Sequence, residues 1–492
     1  MKTKIRQKTG PVCRWNLLPT LLLLLGLTNS AFSQPSPPAT GRRTLRGHMP
    51  PVVSSLTPIE RLAGTNRLRL AIGLPLRDKA GLTNLLHDLY DPASPRYRQY
   101  LTVEQFTERH GPAPADYETL TAFARTNGLT VRRTHANRLL LDVEGSVADI
   151  ERTFGVQMHT YQHPHENRKF FAPDREPSVP AGVPVLDIEG LNNYQLPHHA
   201  GSSTKVIPAK FAAHVTGGAS TAGGSGATNA EWSGSGRYGC FMAADIRAAY
   251  APGVTLTGAG QTVGIVSIDG FYQNDILSYE QQNNLPNVPV IPVLIDGVEG
   301  KVGSSGINGA EVEFPMDIEM AIAMAPGLSQ VLVYEVTAPV ASYGFQYNLV
   351  NDLLNRIATG NIAKQISTSV IWWGGSREWG LGYDSTTDQI FQQMAVQGQS
   401  FFCASGDWGA NMVGPSYSPD PVYHYDAPLM TSPYITIVGG TTLNTAGPGG
   451  PWQAETTWSV PNVSTNGILG TSGGNISASY AIPIQKRINN AT

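Results

Sequence analysis

Histidine is nearly missing from the back of this 492-residue chain: nine of the 11 lie in the first 200 residues, and only His214 and His424 follow. Neither stands in an H-E-x-x-H or C-x-x-C setting, so zinc chemistry has little support there. A Ser-His-Asp triad would depend on His214, at a low-complexity tract, or on His424, in a loop of Pro, Tyr and Asp. Cysteine is scarce too, at three residues, which excludes a disulfide-stapled scaffold. Charged residues make up only 14%, against roughly 25% in ordinary soluble domains. No stretch beyond the amino terminus is apolar enough to span a bilayer. The length and 41% hydrophobic content exclude wholesale disorder and leave room for several domains.

The charges that are present are unevenly placed. From Gly201 onward Asp and Glu outnumber Lys and Arg 20 to 10, whereas the first 200 residues hold 24 basic and 17 acidic residues. A nucleic-acid binder would show a basic patch on its main domain, so no nucleic-acid partner is expected. Part of the front excess is a leader: Lys2, Lys4, Arg6, Lys8 and Arg14 precede an apolar run over 17–27 and an Ala31-Phe32-Ser33 cleavage pattern. Residues 1–33 therefore read as a secretory signal peptide, too short in its apolar part to be an anchor. A secreted or extracytoplasmic protein, off the membrane after cleavage, is expected. Cys240 and Cys403 then remain, either as a disulfide or as two buried thiols.

Residues 34–51 form a Pro/Ser-rich linker. Over 52–195 short strand and helix patterns alternate, with strands predicted at 67–76 and 139–143 and helices at 79–89, 113–127 and 147–154, the mix of a small α+β domain. Residues 196–236 are a second linker, Gly- and Ser-rich between 217 and 236 and open to proteases. From 237 to 492 strands are predicted at 261–268, 329–336, 365–373, 400–404 and 434–438, with helices at 314–325 and 348–358 between them. Such alternation predicts an α/β domain with a doubly wound parallel sheet, whose ligands sit at the carboxyl ends of strands.

With so few histidines, carboxylates are the natural acid/base groups of the back domain. The densest cluster is Glu311-Val312-Glu313-Phe314-Pro315-Met316-Asp317-Ile318-Glu319. If Pro315 lies in a first helical turn, Glu313 and Asp317 are i and i+4 on one face and can share a proton. Taken alone, acidic residues at a helix start are equally explained by the dipole. Ser405-Gly406-Asp407 follows a strand and places Asp407 at the sheet's carboxyl edge, where a protonated carboxyl could donate to an oxyanion. Asp as a local turn cap explains that motif equally well.

Taken in order, these segments resemble the sedolisin family of serine-carboxyl peptidases, and its kumamolisin-like members in particular. In the front domain the resemblance rests on Asp91-Pro92-Ala93-Ser94-Pro95-Arg96-Tyr97-Arg98-Gln99-Tyr100-Leu101-Thr102, on Gly145 to Glu151 with Phe154, and on Gly190-Leu191. In the back domain it rests on Glu313-x-x-x-Asp317, Ala325-Pro326-Gly327, Ser405-Gly406-Asp407, Val438-Gly439-Gly440-Thr441 and Glu455-x-x-Trp458. The resemblance implies a subtilisin-like sheet preceded by a ferredoxin-like activation prodomain. It also implies Glu313 as general base, Asp317 as its support, and Asp407 as a neutral acid in the oxyanion hole. Ser367 and Ser369, with Trp373 and Gly374, resemble the substrate-lining S-x-S-W/Y-G segment, although Val370-Ile371 intervene.

One family element is not found. The nucleophile should lie in a G-T-S-A-x-x-P motif followed by a calcium site, and these 492 residues contain neither. Gly470-Thr471-Ser472-Gly473-Gly474 looks similar, but no Pro follows at the required place. Ser472 is expected to be a decoy inside the family's earlier Gly-rich loop, with nucleophile and Ca2+ ligands beyond Thr492. The implied protein is a monomeric zymogen of an acid-active endopeptidase, with peptides and its own prodomain as partners. Two alternatives compete: a pseudopeptidase that only binds peptide or prodomain, and a glycoside hydrolase. An i, i+4 carboxyl pair is poorly placed to flank a glycosidic bond.

Overall fold

The computed structural model describes residues 41–474, apart from 165–166, 195–197, 200–233, 237–238, 296–297, 304–309, 337–347, 372–384, 408, 410–431 and 463–466. The leader and most of the second linker lie outside the described residues, as do His214 and His424. Among those described, no helix is long and apolar enough to cross a membrane.

The front domain is built on a four-stranded antiparallel sheet. Its strands, Arg67–Gly73, Thr130–Thr134, Leu140–Ser146 and Ile188–Glu189, lie in spatial order second, third, first, fourth. With the intervening helices this is the ferredoxin-like α+β arrangement. Leu68, Leu70 and Ile72 turn inward while Arg67 and Arg69 stay exposed, the period-two pattern of a half-buried strand. The Val147–Phe154 helix starts where Ser146 caps the Asp149 amide and stops at Gly155 in the left-handed region (φ 70°). Its Val147, Ile150 and Phe154 pack onto Leu70, Leu141 and Val143. The 34–51 linker expectation needs correcting at its end. Arg42–Thr44 pairs with Ser178–Pro180, and buried His48 accepts the Ile188 amide through Nε2 at 2.9 Å, so the front domain begins near residue 41.

The back domain carries a six-stranded, wholly parallel sheet in the order Val290–Leu294, Gln330–Glu335, Thr262–Ser267, Gln365–Thr368, Ser400–Ala404, Thr436–Val438. The first strand in sequence lies inside the sheet, and winding reverses between it and Gln365–Thr368. That reversal is the switch point where α/β sheets open a crevice. Alternation along Thr262–Ser267 assigns the two faces. Ile265 faces Ile276, Ile318 and Ile322, on the Gln273–Gln282 and Ala310–Met324 helices. Val266 faces Leu353, Leu354, Ile390 and Phe391, on the Asn348–Gly360 and Thr386–Val396 helices.

Two expectations change here. The carboxylate helix begins at Ala310, so Pro315 stands inside it rather than in its first turn. Ala and Glu before it are good helix formers, and their propensity extends the helix past the one hydrogen bond that proline removes. The strand expected over 365–373 is broken: Gln365–Thr368 stays in the sheet, Ser369 leaves it, and Val370–Ile371 forms a separate short strand. That strand pairs antiparallel with His198–His199, from the chain just after the front domain.

The two domains share one apolar core on the Val266 face. Leu82, Leu86, Leu89 and Phe106 join Ile390, Phe391 and Met394 in a continuous cluster. Main-chain amides align the contact: Leu101 N–H donates to the Val396 carbonyl (2.8 Å) and Leu76 N–H to the Gln389 side-chain Oε1 (2.8 Å). Asp187 sits on the amino end of the Thr386–Val396 helix, accepting from the Thr386 amide (2.9 Å) and hydroxyl (2.5 Å). A carboxylate is favoured there by the helix's free N–H groups. Gly73 permits the approach, because a Cβ on it would fall 1.7 Å from Thr386 Oγ1.

Candidate active site

The Gln365–Thr368 strand places its alternate residues on the side of the carboxylate helix. Ser367 is in register with Ile265, whose face that helix covers, and Ser369, two residues on, reaches the helix itself. Its hydroxyl donates to Asp317 Oδ2 at 2.7 Å. Ser369, which the resemblance assigns to the substrate-lining segment, thus orients a carboxyl. The S-x-S spacing signals which face is used, but not which partner is met.

Asp317 is pushed up to about 7, first by burial and then by the nearby charge of Glu313, against the Ser369 hydrogen bond, which favours ionisation. Glu313 lies one helical turn earlier. Asp317 therefore keeps its proton well above the ordinary carboxylate range. Glu335, buried at the end of the neighbouring strand, is likewise raised to about 7 by burial and by Asp269. Its Oε2 has no hydrogen-bond partner among the described residues.

These shifts carry a sign for stability. Each group keeps its proton in the folded state up to about pH 7, whereas the unfolded chain releases it near pH 4. Stability from this source is full below about pH 4 and is lost as pH rises through 7. Calorimetry should give a higher Tm for the back domain at pH 4.5 than at pH 7.5, by at least about 3 °C. Glu335→Gln, uncharged throughout, should narrow that difference; an equal or higher Tm at pH 7.5 in the wild type would contradict it.

Asp407 follows the Ser400–Ala404 strand, next to Gln365–Thr368 in the sheet, and so leaves the same carboxyl edge as Ser369. The chain turns at Gly406, whose φ of 86° suits glycine. The Asp407 carbonyl accepts from the Thr471 amide (2.8 Å) and the Gly406 carbonyl from the Gly473 amide (2.5 Å). Thr471–Gly474 thus forms a wall behind the Asp407 turn, and a Cβ at Gly473 would fall 1.9 Å from the Ser405 carbonyl. Ser472 belongs to this wall. Its Oγ accepts the Gly440 amide at 2.9 Å and donates to Gly473 O at 3.4 Å. Trp373 and Gly374 lie outside the described residues. Cys240 and Cys403 are unpaired thiols, and burial pushes Cys403 up to about 12.

For calcium the fit is poor among the described residues. Among the described residues one cluster has metal-ligand spacing, His135 with Asp142 and Asp352. It contains a ring nitrogen and three groups, whereas calcium takes six to eight oxygens.

Comparison with known proteins agrees with this layout. Residues 54–194 match the family model of the pro-kumamolisin activation domain. Sedolisin of Pseudomonas sp. (strain 101) is 26% identical over 442 residues, covering 89% of this chain and 70% of that protein. Xanthomonalisin of Xanthomonas sp. (strain T-22) is 27% identical over 463 residues, covering 86% and 52%. Kumamolisin of Bacillus sp. (strain MN-32) is 26% identical over 432 residues, covering 86% and 70%. A parallel α/β domain preceded by a matched activation domain defines a serine-type peptidase built with its own prodomain. Residues 54–194 belong to the activation-domain family, and over most of its length the chain is similar to peptidases of the sedolisin family.

Proposed function

We propose that this chain is the zymogen form of a secreted, acid-active endopeptidase in which Glu313, Asp317 and Asp407 carry the catalytic acid and base roles. The observation that carries this reading is the Glu313–Asp317 pair at the sheet's switch point, with Asp317 holding its proton to about pH 7. At acid pH Asp317 is protonated and Ser369 donates to its Oδ2, which leaves Glu313 as the base. The resemblance calls for a nucleophilic serine in a G-T-S-A-x-x-P motif, which does not occur among these 492 residues. Glu313 takes the hydroxyl proton as Oγ bonds to the peptide carbonyl, and the protonated Asp407 donates to the developing oxyanion. Glu313 then returns the proton to the departing amine, and water hydrolyses the acyl-enzyme. An imidazole base would be protonated and idle under the same conditions. Trp373 and Gly374 stay assigned to the substrate cleft.

Pairing of His198–His199 with Val370–Ile371, beside Ser369, supports the zymogen reading. The chain leaving the prodomain runs as an added strand along the segment assigned to substrate, so the cleft is occupied in cis until the linker is cut. Hydrolysis of casein against a polysaccharide at pH 4 tests the class of reaction. Peptide-bond cleavage alone is expected, and cleavage of the polysaccharide instead would overturn it.

A further inference from the structure

One irregularity in the prodomain sheet decides where His135 points. Thr130–Thr134 pairs antiparallel with Leu140–Ser146, and the register shifts between Val131 and Arg133, so that Arg132 is an extra residue. A bulge of one residue reverses the faces taken by the side chains that follow it. Beyond it Arg133 is in register with Asp142 and Thr134 with Leu141, so His135 joins the face of Asp142 instead of the prodomain core. Its Nε2 lies 2.9 Å from Asp142 Oδ2. Ala71 is flanked by Asp142 on one neighbouring strand and by Glu189 on the other. This face therefore carries two carboxylates with only a methyl group between them.

The back domain sets a polar helix face against them. On Asn348–Gly360, Leu353, Leu354 and Ile357 pack into the core, while Asn351, Asp352 and Asn355 are buried within about one turn of each other. Asp352 Oδ1 comes to 3.5 Å from His135 Nε2. The ring nitrogen and one oxygen from each carboxylate all lie within 4.8 Å of one another. The side chains of His135, Asp142 and Asp352 are 10%, 7% and 2% exposed. Asp142 Oδ1 has no hydrogen-bond partner among the described residues, nor has Glu189 Oε2. A buried carboxylate oxygen with nothing to accept from is costly, and a cation supplies what it lacks.

We propose that His135, Asp142 and Asp352 form a zinc site shared between the prodomain and the back domain. Tetrahedral zinc, with bonds of about 2.0–2.2 Å, holds its ligand atoms roughly 3.3–3.6 Å apart, and the ring nitrogen lies 2.9 and 3.5 Å from the two carboxylate oxygens. One imidazole and two carboxylates suit zinc, whereas calcium and magnesium take oxygen ligands. Water completes the four ligands. The ring borders a surface pocket with Tyr117, Thr134 and Arg138, which also gives the ion its way in. The Arg138 guanidinium is turned to the Pro112 and Thr107 carbonyls.

The second ring nitrogen is held by Asn355, whose Nδ2 lies 2.8 Å from Nδ1 and whose Oδ1 accepts from Asn137 Nδ2 at 2.6 Å. Zinc on Nε2 puts the ring proton on Nδ1, and Asn355 must then turn its carbonyl oxygen to it at the expense of the Asn137 contact. One neutral hydrogen bond is lost and three ion–ligand bonds are gained, so the ion prevails. Asp352 reaches the ion only when the two domains are docked, so each bound zinc also holds the prodomain in place. Ion binding needs no peptidase activity and is tested apart from the function proposed above.

The test is titration of the uncleaved chain with zinc chloride at neutral pH, by calorimetry for stoichiometry and with Co2+ absorption for geometry. One equivalent should bind with a Kd below about 1 μM, and Co2+ should give the intense visible bands of a four-coordinate site. Saturating zinc should raise Tm by at least about 3 °C, and EDTA should reverse it. Asp142→Asn in the prodomain and Asp352→Asn in the back domain, both isosteric, should each weaken zinc binding at least about 100-fold, as should His135→Ala. Asp352→Asn decides the matter should His135→Ala fail to fold. No binding by the wild type, full affinity kept in either Asp variant, or a six-coordinate Co2+ spectrum would each overturn the proposal.

Discussion

Replacing Glu313 by glutamine is expected to lower kcat for casein hydrolysis at pH 4 on the order of 10³-fold, with KM within about twofold of wild type. The size follows from what the amide cannot do. A serine hydroxyl must lose its proton as it attacks, and glutamine offers no basic oxygen for it. The KM expectation follows from position, since Glu313 sits on the helix behind the strand edge, paired with Asp317 rather than with the segment assigned to substrate. The pH profile adds a second readout. Asp317 keeps its proton to about 7 partly because of the Glu313 charge, so removing that charge should move its titration downward. Carboxyl NMR of the two forms would record it. A Glu313→Gln enzyme with kcat within tenfold of wild type would mean that another group is the base.

Asp407→Ala should cost on the order of 10²- to 10³-fold in kcat, the usual penalty for deleting an oxyanion donor. Asp407→Asn makes the sharper case. A carboxylic acid donates a hydrogen bond only while protonated, whereas an amide donates at every pH. The Asn variant should therefore retain more activity than the Ala variant and extend its activity toward neutral pH. The Asp407 turn is held at its main chain by the Thr471 and Gly473 amides, so neither change should disturb the loop. Equal losses with Ala and Asn, and an unshifted alkaline limb, would remove Asp407 from the oxyanion hole.

Much of the fold was legible because apolar runs and their breaks are local. The strands at Thr262–Ser267, Gln330–Glu335 and Ser400–Ala404 lie within a few residues of where the pattern predicts them. The misreadings were local conflicts. Pro315 suggested a helix start, but good helix formers ahead of it carry the helix back to Ala310. The run over 365–373 looked like one strand until Ser369 turned aside to meet Asp317. Glu313, Asp317 and Asp407 each had an ordinary structural explanation, and only their joint order in the family resemblance selected them. The docking seam was not legible at all. Asn137 and Asn355 are 218 residues apart and Asp187 and Thr386 are 199 apart, and nothing near an isolated Asn or His indicates a partner at that distance.

Ser472 is the residue on which the competing readings divide. It has the look of a nucleophile in sequence, yet its hydroxyl accepts the Gly440 amide and donates to the Gly473 carbonyl, a wall position rather than an attacking one. The most direct measurement is casein hydrolysis at pH 4 by a protein that carries these 492 residues together with a G-T-S-A-x-x-P serine segment, with Ser472→Ala and Glu313→Gln assayed beside the wild type. The expected result is cleavage by the wild type, cleavage within about twofold by Ser472→Ala, and loss on the order of 10³-fold in Glu313→Gln. Loss of cleavage in Ser472→Ala, survival in Glu313→Gln, or no cleavage by any of the three would contradict it.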